Sequence, residues 1–158
     1  MSQLTRQVLV KNPFVNSARY VLRFDGASRG NPGHASFGVV IEQSGRGVEF
    51  ECRRYIGKTT NNVAEYSGLI AGLEAAASMG LRNMAVEGDS KLVILQMNGE
   101  WSVRHPQMKI LFERAMELSR IVGIVSWRWI PRSANAHADS LANLALDDIG
   151  SMDNIAST

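Results

Sequence analysis

The feature that most constrains the fold is a change of hydrophobic period at residues 59–62, Thr-Thr-Asn-Asn. Before this point, residues 18–24, 36–42 and 48–56 read as strands, with apolar and polar side chains alternating in the first. After it, apolar residues recur at helical spacing over residues 62–79, a segment that Thr60 or Asn61 can cap. A chain that contains both periods in this order is predicted to be an α/β protein.

The rest of the chain alternates strands with helices. Residues 82–87 and 124–130 are predicted strands, and residues 91–97, 134–146 and a segment opened by Pro106 are predicted helices. We therefore predict an α/β domain over residues 18–147, with a five-stranded mixed sheet flanked by helices. Its first three strands are antiparallel and the others belong to βα units. Flexible segments are expected at both termini, over residues 1–17 and 148–158.

Composition narrows the class of protein. No apolar run approaches the roughly 20 residues of a membrane span. Cys52 is the only cysteine, which excludes an internal disulfide and a thiolate-rich zinc site. We expect a cytoplasmic protein without a membrane partner, with organelle targeting by the acid-free first 24 residues as the alternative. Residues 1–58 carry nine Lys/Arg against four Asp/Glu, which suggests either a polyanionic partner or a solvated surface.

Four acidic residues can meet in one crevice. Asp25 and Asp89 follow predicted strands, and they would emerge side by side if those strands are parallel neighbours. Glu65 falls in the first turn of the helix over 62–79, and Asp139 lies early in the last helix. Taken singly, each has a structural alternative as a turn former, a partner of the helix dipole or an exposed helix residue.

Converging carboxylates predict a divalent cation. Two carboxylates about 4 Å apart repel by roughly 4 kcal/mol at an effective dielectric near 20, and a bound cation removes that repulsion. Oxygen ligands favour Mg²⁺, with Mn²⁺ as a substitute. Two such ions are a known device for in-line displacement at phosphorus.

Four motifs in this order carry a family resemblance. They are Phe24-Asp-Gly-Ala-Ser-Arg-Gly-Asn-Pro-Gly33, Thr59-Thr-Asn-Asn-Val-Ala-Glu65, Val86-Glu-Gly-Asp-Ser90 and Asn135-Ala-His-Ala-Asp-Ser-Leu-Ala-Asn143. With the element order, they closely resemble the ribonuclease H type 1 family. The resemblance implies the ribonuclease H-like fold and a metal-dependent endoribonuclease that hydrolyses the RNA strand of RNA–DNA hybrids, leaving 5′-phosphate and 3′-hydroxyl ends. It also implies four metal-binding catalytic acids: Asp25, Glu65, Asp89 and Asp139.

The same resemblance implies contacts to the hybrid. Asn31, Asn61 and Asn62 match positions that contact the minor groove, and amide side chains suit 2′-hydroxyls and base edges without demanding a sequence. Thr60 and Asn135 match positions that help to hold a phosphate of the DNA strand. Helix capping is the alternative role for Asn61 and Asn62.

The chain departs in two features from the longer members of the family. In both it resembles a short-loop branch, which lacks the basic protrusion that binds substrate. Residues 98–106 are too short for the extra helix and basic handle that many bacterial members use to grip substrate. Arg29 and Lys91 are candidates for that grip, with ordinary solubility as the alternative. The loop before Asp139 holds Arg132 where longer members carry a histidine. Because an arginine stays protonated, Arg132 is predicted to stabilise phosphate.

The expected partner is therefore an RNA–DNA hybrid bound by a monomer. Double-stranded RNA remains open as a further substrate. A catalytically weak module that binds hybrid or double-stranded RNA is the competing function.

Overall fold

The computed structural model of the protein describes residues 18–156, and the side chains of residues 18–151. The predicted extension over residues 1–17 lies outside the described residues. The elements in chain order are β1 (Tyr20–Gly30), β2 (Gly33–Gln43), β3 (Gly47–Thr59), α1 (Asn61–Ser78), β4 (Met84–Gly88), α2 (Lys91–Met97), α3 (Pro106–Val122), β5 (Ile124–Trp129), a 3₁₀ turn (Arg132–Ala134) and α4 (Ala136–Ala156).

The strands form one mixed sheet in the order β3-β2-β1-β4-β5. β1 pairs antiparallel with β2, and β2 pairs antiparallel with β3. β1 and β4 are parallel, as are β4 and β5. The predicted five-stranded mixed sheet is confirmed.

Local signals in the sequence explain the bounds of α1. The hydroxyl of Thr60 accepts a hydrogen bond from the backbone N–H of Val63 at 3.3 Å, so Thr60 caps the helix as predicted. Gly80 follows the last turn with a φ of 71°, a left-handed conformation that glycine adopts without strain. A Cβ at Gly72 would lie 2.8 Å from Leu22 and from Val39, so glycine here lets α1 lie close on the sheet.

The helices cover the two faces of the sheet unequally. α1 packs on the face that carries Leu22, Phe24 and Phe37 in the hydrophobic core, and α3 packs against α1. α4 lies on the opposite face across β1, β2 and β3, where a Cβ at Gly38 would come within 2.9 Å of Leu141 and Ala142. This arrangement brings the start of α4 next to β1.

A charged row crosses the sheet on the same face as α4. Glu87 of β4 is buried, and its carboxylate accepts from Arg23 Nε at 3.0 Å and from Arg128 Nε at 2.9 Å. Arg23 also donates to Glu42 of β2 at 3.1 Å. Because both oxygens of Glu87 are bound by guanidinium groups, this buried acid has a structural role.

Two elements are longer than the sequence suggests. Residues 25–33 lie between the predicted strands 18–24 and 36–42, and they form the end of a long hairpin, since β1 continues to Gly30 and β2 begins at Gly33. The last helix continues to Ala156, whereas the sequence predicts a flexible tail from residue 148. Ion pairs hold this extension on the sheet, from Asp147 to Arg29 and from Asp148 to Arg53. Within residues 18–156, no helix combines the length and the apolarity that a membrane crossing needs.

Candidate active site

The strand register places two acids side by side. The parallel pairing of β1 with β4 ends at Phe24 and Gly88, which are register partners. Asp25 and Asp89 are the next residue on each chain segment, so they lie at the same edge of the paired region. Asp25 is not at the end of its own strand, because β1 continues along β2.

Glu65 reaches the same point from α1. A Cβ at Gly26 would lie within 2.8 Å of the backbone of Ala64 and Glu65, so only glycine allows this close approach of helix and strand. Carboxylate oxygens of Asp25, Glu65 and Asp89 all lie within 4.8 Å of one another. Asp25 and Glu65 are each 4% exposed, and Asp89 is half-buried.

Burial and mutual repulsion disfavour the charged forms of these acids. The pKa of Asp25 is raised to about 8, mainly because burial removes its hydration and secondly because the charge of Asp89 repels its own. Burial and the charge of Asp25 raise the pKa of Glu65 well above its usual range. Groups with such perturbed pKa values in a cleft are candidates for a functional site.

Asp139 lines the same cleft and lies next to Asp25, where its side chain and its charge help to raise the pKa of Asp25, although it is not one of the three acids within 4.8 Å of one another. The cleft has a volume of about 510 Å³ and includes all four predicted acids. One oxygen of Asp139 accepts from Arg132 Nη2 at 3.2 Å and from Asn143 Nδ2 at 3.3 Å. The charge of Asp139 also raises the pKa of Arg132.

The arrangement fits a hard divalent cation. The Oε2 atom of Glu65 is buried and has no hydrogen-bond partner among the described residues. An unpaired carboxylate oxygen in a buried position is destabilising unless a cation or a water binds it. Clustered carboxylate oxygens are the ligands that Mg²⁺, Mn²⁺ and Ca²⁺ prefer.

Three of the predicted substrate contacts line a second cavity of about 350 Å³, namely Asn31, Thr60 and Asn62. The side-chain oxygen of Asn31 accepts from the backbone N–H of Asn61 at 3.0 Å, which joins the β1–β2 turn to the start of α1. Asn61 itself lines the acidic cleft. These four polar residues therefore lie together at the surface around the start of α1.

The structure shows Asn135 in a buried, structural position next to the acidic cleft. Its side chain is 1% exposed and donates to the backbone oxygen of Phe24 at 2.8 Å. Its backbone oxygen accepts from the N–H of Asp139 at 3.1 Å. Asn135 therefore links the residue before Asp25 to the first turn of α4, and the phosphate contact that the resemblance implies stays a prediction.

The two basic candidates for gripping substrate differ. Arg29 lines the cleft, and its guanidinium pairs with Asp147 of α4. Lys91 is exposed at the first position of α2 and lies outside the residues that line either cavity.

Sequence reasoning missed several side chains of the cleft, among them Trp129 and Asn143. Trp129 is the last residue of β5, beside the strand that carries Asp89, and the edge rule applied to Asp25 and Asp89 would have selected it. Asn143 follows Asp139 by four residues, so helical spacing alone places the two on one face of α4.

A mixed sheet in this strand order, with three acids at the end of the β1–β4 pairing, defines a ribonuclease H-like protein of the α/β class. A protein-family profile described as "Reverse transcriptase-like" matches residues 23–145. The Bifunctional protein Rv2228c of Mycobacterium tuberculosis is 45% identical over 130 residues, which cover 82% of this chain and 36% of that protein. Ribonuclease HI of Halobacterium salinarum is 46% identical over 127 residues, covering 79% of this chain and 63% of that protein.

Solved structures agree with these matches. The N-terminal RNase H domain of Rv2228c, solved as a fusion with maltose binding protein, superposes with a TM-score of 0.81 at 44% identity, covering 86% of this chain and 99% of that one. LC11-RNase H1 in complex with an RNA/DNA hybrid superposes with a TM-score of 0.77 at 37% identity, covering 82% of this chain and 98% of that one. The chain belongs to the ribonuclease H type 1 family. It spans 36% of the length of the first curated relatives that it matches.

Proposed function

We propose that this protein is an endoribonuclease that hydrolyses the RNA strand of RNA–DNA hybrids with two divalent cations, Mg²⁺ in the first place. In the proposed reaction the oxygen of water bonds to phosphorus, the bond from phosphorus to the 3′-oxygen breaks, and that oxygen takes a proton. The products are 5′-phosphate and 3′-hydroxyl ends. The observation that carries the proposal is the convergence of Asp25, Glu65 and Asp89 within 4.8 Å.

The residues of the cleft have separate proposed roles. Asp25, Glu65 and Asp89 supply carboxylate oxygens to the cations, and Asp139 completes the acidic set beside Asp25. Bound divalent cations would supply an activated water and neutralise the charge of the leaving oxygen. Arg132 holds a positive charge at the mouth of the cleft, where it is 76% exposed and available to a phosphate oxygen.

The polar residues around α1 suit a hybrid substrate. Asn31, Asn61 and Asn62 carry amides, which both donate and accept hydrogen bonds and can therefore bind 2′-hydroxyls and base edges in a shallow groove. That LC11-RNase H1, at 37% identity, was solved with an RNA/DNA hybrid supports this choice of substrate.

The test is cleavage of an end-labelled RNA–DNA hybrid with Mg²⁺ or Mn²⁺. We expect cleavage to vanish in EDTA and in Asp25→Asn, while Asp25→Asn still binds hybrid in the presence of Ca²⁺. Glu113→Gln is a matched control, because Glu113 is an exposed acid of α3 and does not line the cleft. Robust cleavage in EDTA would contradict the two-metal mechanism, and full activity of Asp25→Asn would contradict the site.

A second candidate function is a catalytically weak module that binds hybrid or double-stranded RNA. The shortness of residues 98–106, which hold no basic handle, favours it over an efficient nuclease. Hybrid, RNA duplex and DNA duplex compared in one cleavage and binding assay separate these functions. Binding of hybrid or RNA duplex without turnover would favour the module. Sedimentation of the same preparation tests the further proposal that the protein acts as a monomer.

A further inference from the structure

Trp129 is an exposed aromatic residue in a cleft of charged and polar groups. Its side chain is 48% exposed, and it is the one aromatic among the described residues that line the acidic cleft. The proposed roles of the acids and of Arg132 leave it unused. An apolar side chain this large is ordinarily found in a core or at a contact surface.

The backbone around Trp129 is fixed. Trp129 is the register partner of Gly88, and the N–H of Ile130 donates to the oxygen of Gly88 at 2.9 Å. Ile130 is buried, so the chain is anchored directly after the indole. The ring therefore projects from a rigid strand end beside Asp89.

The polar edge of the indole is already bound. Trp129 Nε1 donates to the backbone oxygen of Asp89 at 3.2 Å. An indole has one polar atom, so the part that remains exposed is entirely carbon. That surface suits a flat apolar ligand group next to the acids.

The geometry points to Trp129 as a substrate-contact residue whose indole packs against a nucleoside of the bound strand next to the reacting phosphate. This inference rests on the proposed function. Stacking on an aromatic ring tolerates every base, because each nucleoside has an apolar face, and it therefore fits a nuclease that reads no sequence. The contact holds the substrate inside the cleft. Outside the cleft, residues 98–106 are too short to form a basic handle that would bind it.

The hydrogen bond to Asp89 suggests a different role, in which Trp129 only orients that acid. Two substitutions separate the roles, because Trp129→Phe keeps a ring and loses the N–H, whereas Trp129→Ala loses both. For a stacking contact we expect KM for hybrid to rise roughly tenfold in Trp129→Ala and by less than about threefold in Trp129→Phe, with kcat nearly unchanged in both. Trp101→Ala is the matched control, since Trp101 is 47% exposed and lies outside the cleft lining.

Binding gives a second readout that does not depend on turnover or on the folding of the alanine variant. Hybrid added to Asp25→Asn in Ca²⁺ should quench tryptophan fluorescence, and Trp129→Phe in that background should lose most of the quenching. Equal KM increases in the phenylalanine and alanine variants, or unchanged quenching, would overturn the stacking contact. If the unaltered protein cleaves and Asp25→Asn does not, such a result would overturn this inference alone. If no hybrid is cleaved by the unaltered protein, the proposed function itself fails.

Discussion

Asp25 is an acid that the fold keeps away from water and next to other acids. It is 4% exposed, and burial together with the charge of Asp89 raises its pKa to about 8. The pKa of Glu65 shifts in the same direction. Near neutral pH the metal-free cleft therefore retains protons, and a cation must displace them to bind.

The first prediction is a pH dependence of stability. The pKa of Asp25 is near 3.8 in the unfolded chain and about 8 in the folded protein, so the folded state binds more protons between these values. The free energy of unfolding should therefore fall as pH rises from about 4 to about 8, by roughly a few kcal/mol, and then level off. Thermal unfolding in EDTA across this range measures the effect.

Asp25→Asn tests whether this residue causes the pH dependence. An amide does not titrate, so the variant should lose the part of the slope that Asp25 causes, keep the part that the buried Glu65 causes, and be more stable than the unaltered protein at pH 8 without metal. Glu113→Gln, on the exposed side of α3, should keep the slope. An unchanged slope in Asp25→Asn would show that another group causes the pH dependence.

The second prediction concerns Arg132. Its guanidinium lies 3.2 Å from Asp139 and is mostly exposed, so it can reach a phosphate without reorganisation of the fold. Arg132→Ala should lower kcat by about tenfold and change hybrid binding by less than about threefold, because charge stabilisation matters most in the transition state. Steady-state kinetics with Arg120→Ala, an exposed arginine of α3, as the control check this. An unchanged kcat would remove Arg132 from the site.

At the residue scale, the sequence predicts where a residue lies on its strand or helix better than it predicts which groups surround its side chain. Asp25 and Asp89 could be placed together because strand ends are visible in the hydrophobic pattern, and the register bears this out. Burial of Asn135 could not be predicted, because it depends on how α4 meets the backbone of Phe24. Nor could the pairing of Arg29 with Asp147, which are 118 residues apart.

Between elements, the contact of β1 with α1 decides where Glu65 lies. The third prediction is that Gly26→Ala destabilises the protein by about 1–3 kcal/mol and impairs cleavage, because the added methyl would overlap the backbone of Ala64 and Glu65. Thermal unfolding measures the loss. Gly150→Ala is the matched control: no atom lies within 4 Å of its added Cβ, so helix propensity should make it more stable by up to about 1 kcal/mol. Equal stability of Gly26→Ala and the unaltered protein would contradict the close approach.

The extension of α4 leads to the fourth prediction. Asp147 neutralises Arg29 at the rim of the cleft, so Asp147→Asn should free that cation for phosphate and lower KM on the order of threefold, whereas Arg29→Ala should raise it. Asp148→Asn is the control, because Asp148 pairs with Arg53 and neither residue lines the cleft. KM values at low ionic strength distinguish the three variants, since screening by salt would weaken the effect. A higher KM in Asp147→Asn would indicate that Asp147 positions Arg29 instead.

The elements themselves were largely predictable. Helix α2 has the predicted bounds, and α3 begins at Pro106 as predicted, because a proline in the first turn marks a helix start clearly. The sequence underestimates the length of the β1–β2 hairpin, because pairing with β2 holds residues 25–30 extended despite their glycines and polar side chains. The extension of α4 was missed because Asp147 and Asp148, where it begins, form ion pairs with β1 and β3 that no local pattern shows.

For the molecule as a whole, the acidic cleft lowers stability because its carboxylates repel one another, and a bound cation removes this repulsion. The fifth prediction is that Mg²⁺ at about 100 times its dissociation constant stabilises the fold by about 2.7 kcal/mol and raises Tm by roughly 5–10 °C. Asp25→Asn should lose most of this rise. EDTA should reverse it, and an identical rise in both proteins would place the binding elsewhere.

The four acids come from β1, α1, the residue after β4 and α4, and the connection between α1 and β4 divides them evenly. A chain cut within residues 79–83 would leave Asp25 and Glu65 on one piece and Asp89 and Asp139 on the other. Neither fragment could hold the full acidic set, yet β1 and β4 would still offer each other a complete row of backbone partners. The architecture thus lends itself to a two-part complementation reporter, in which a signal arises only when the fragments are brought together.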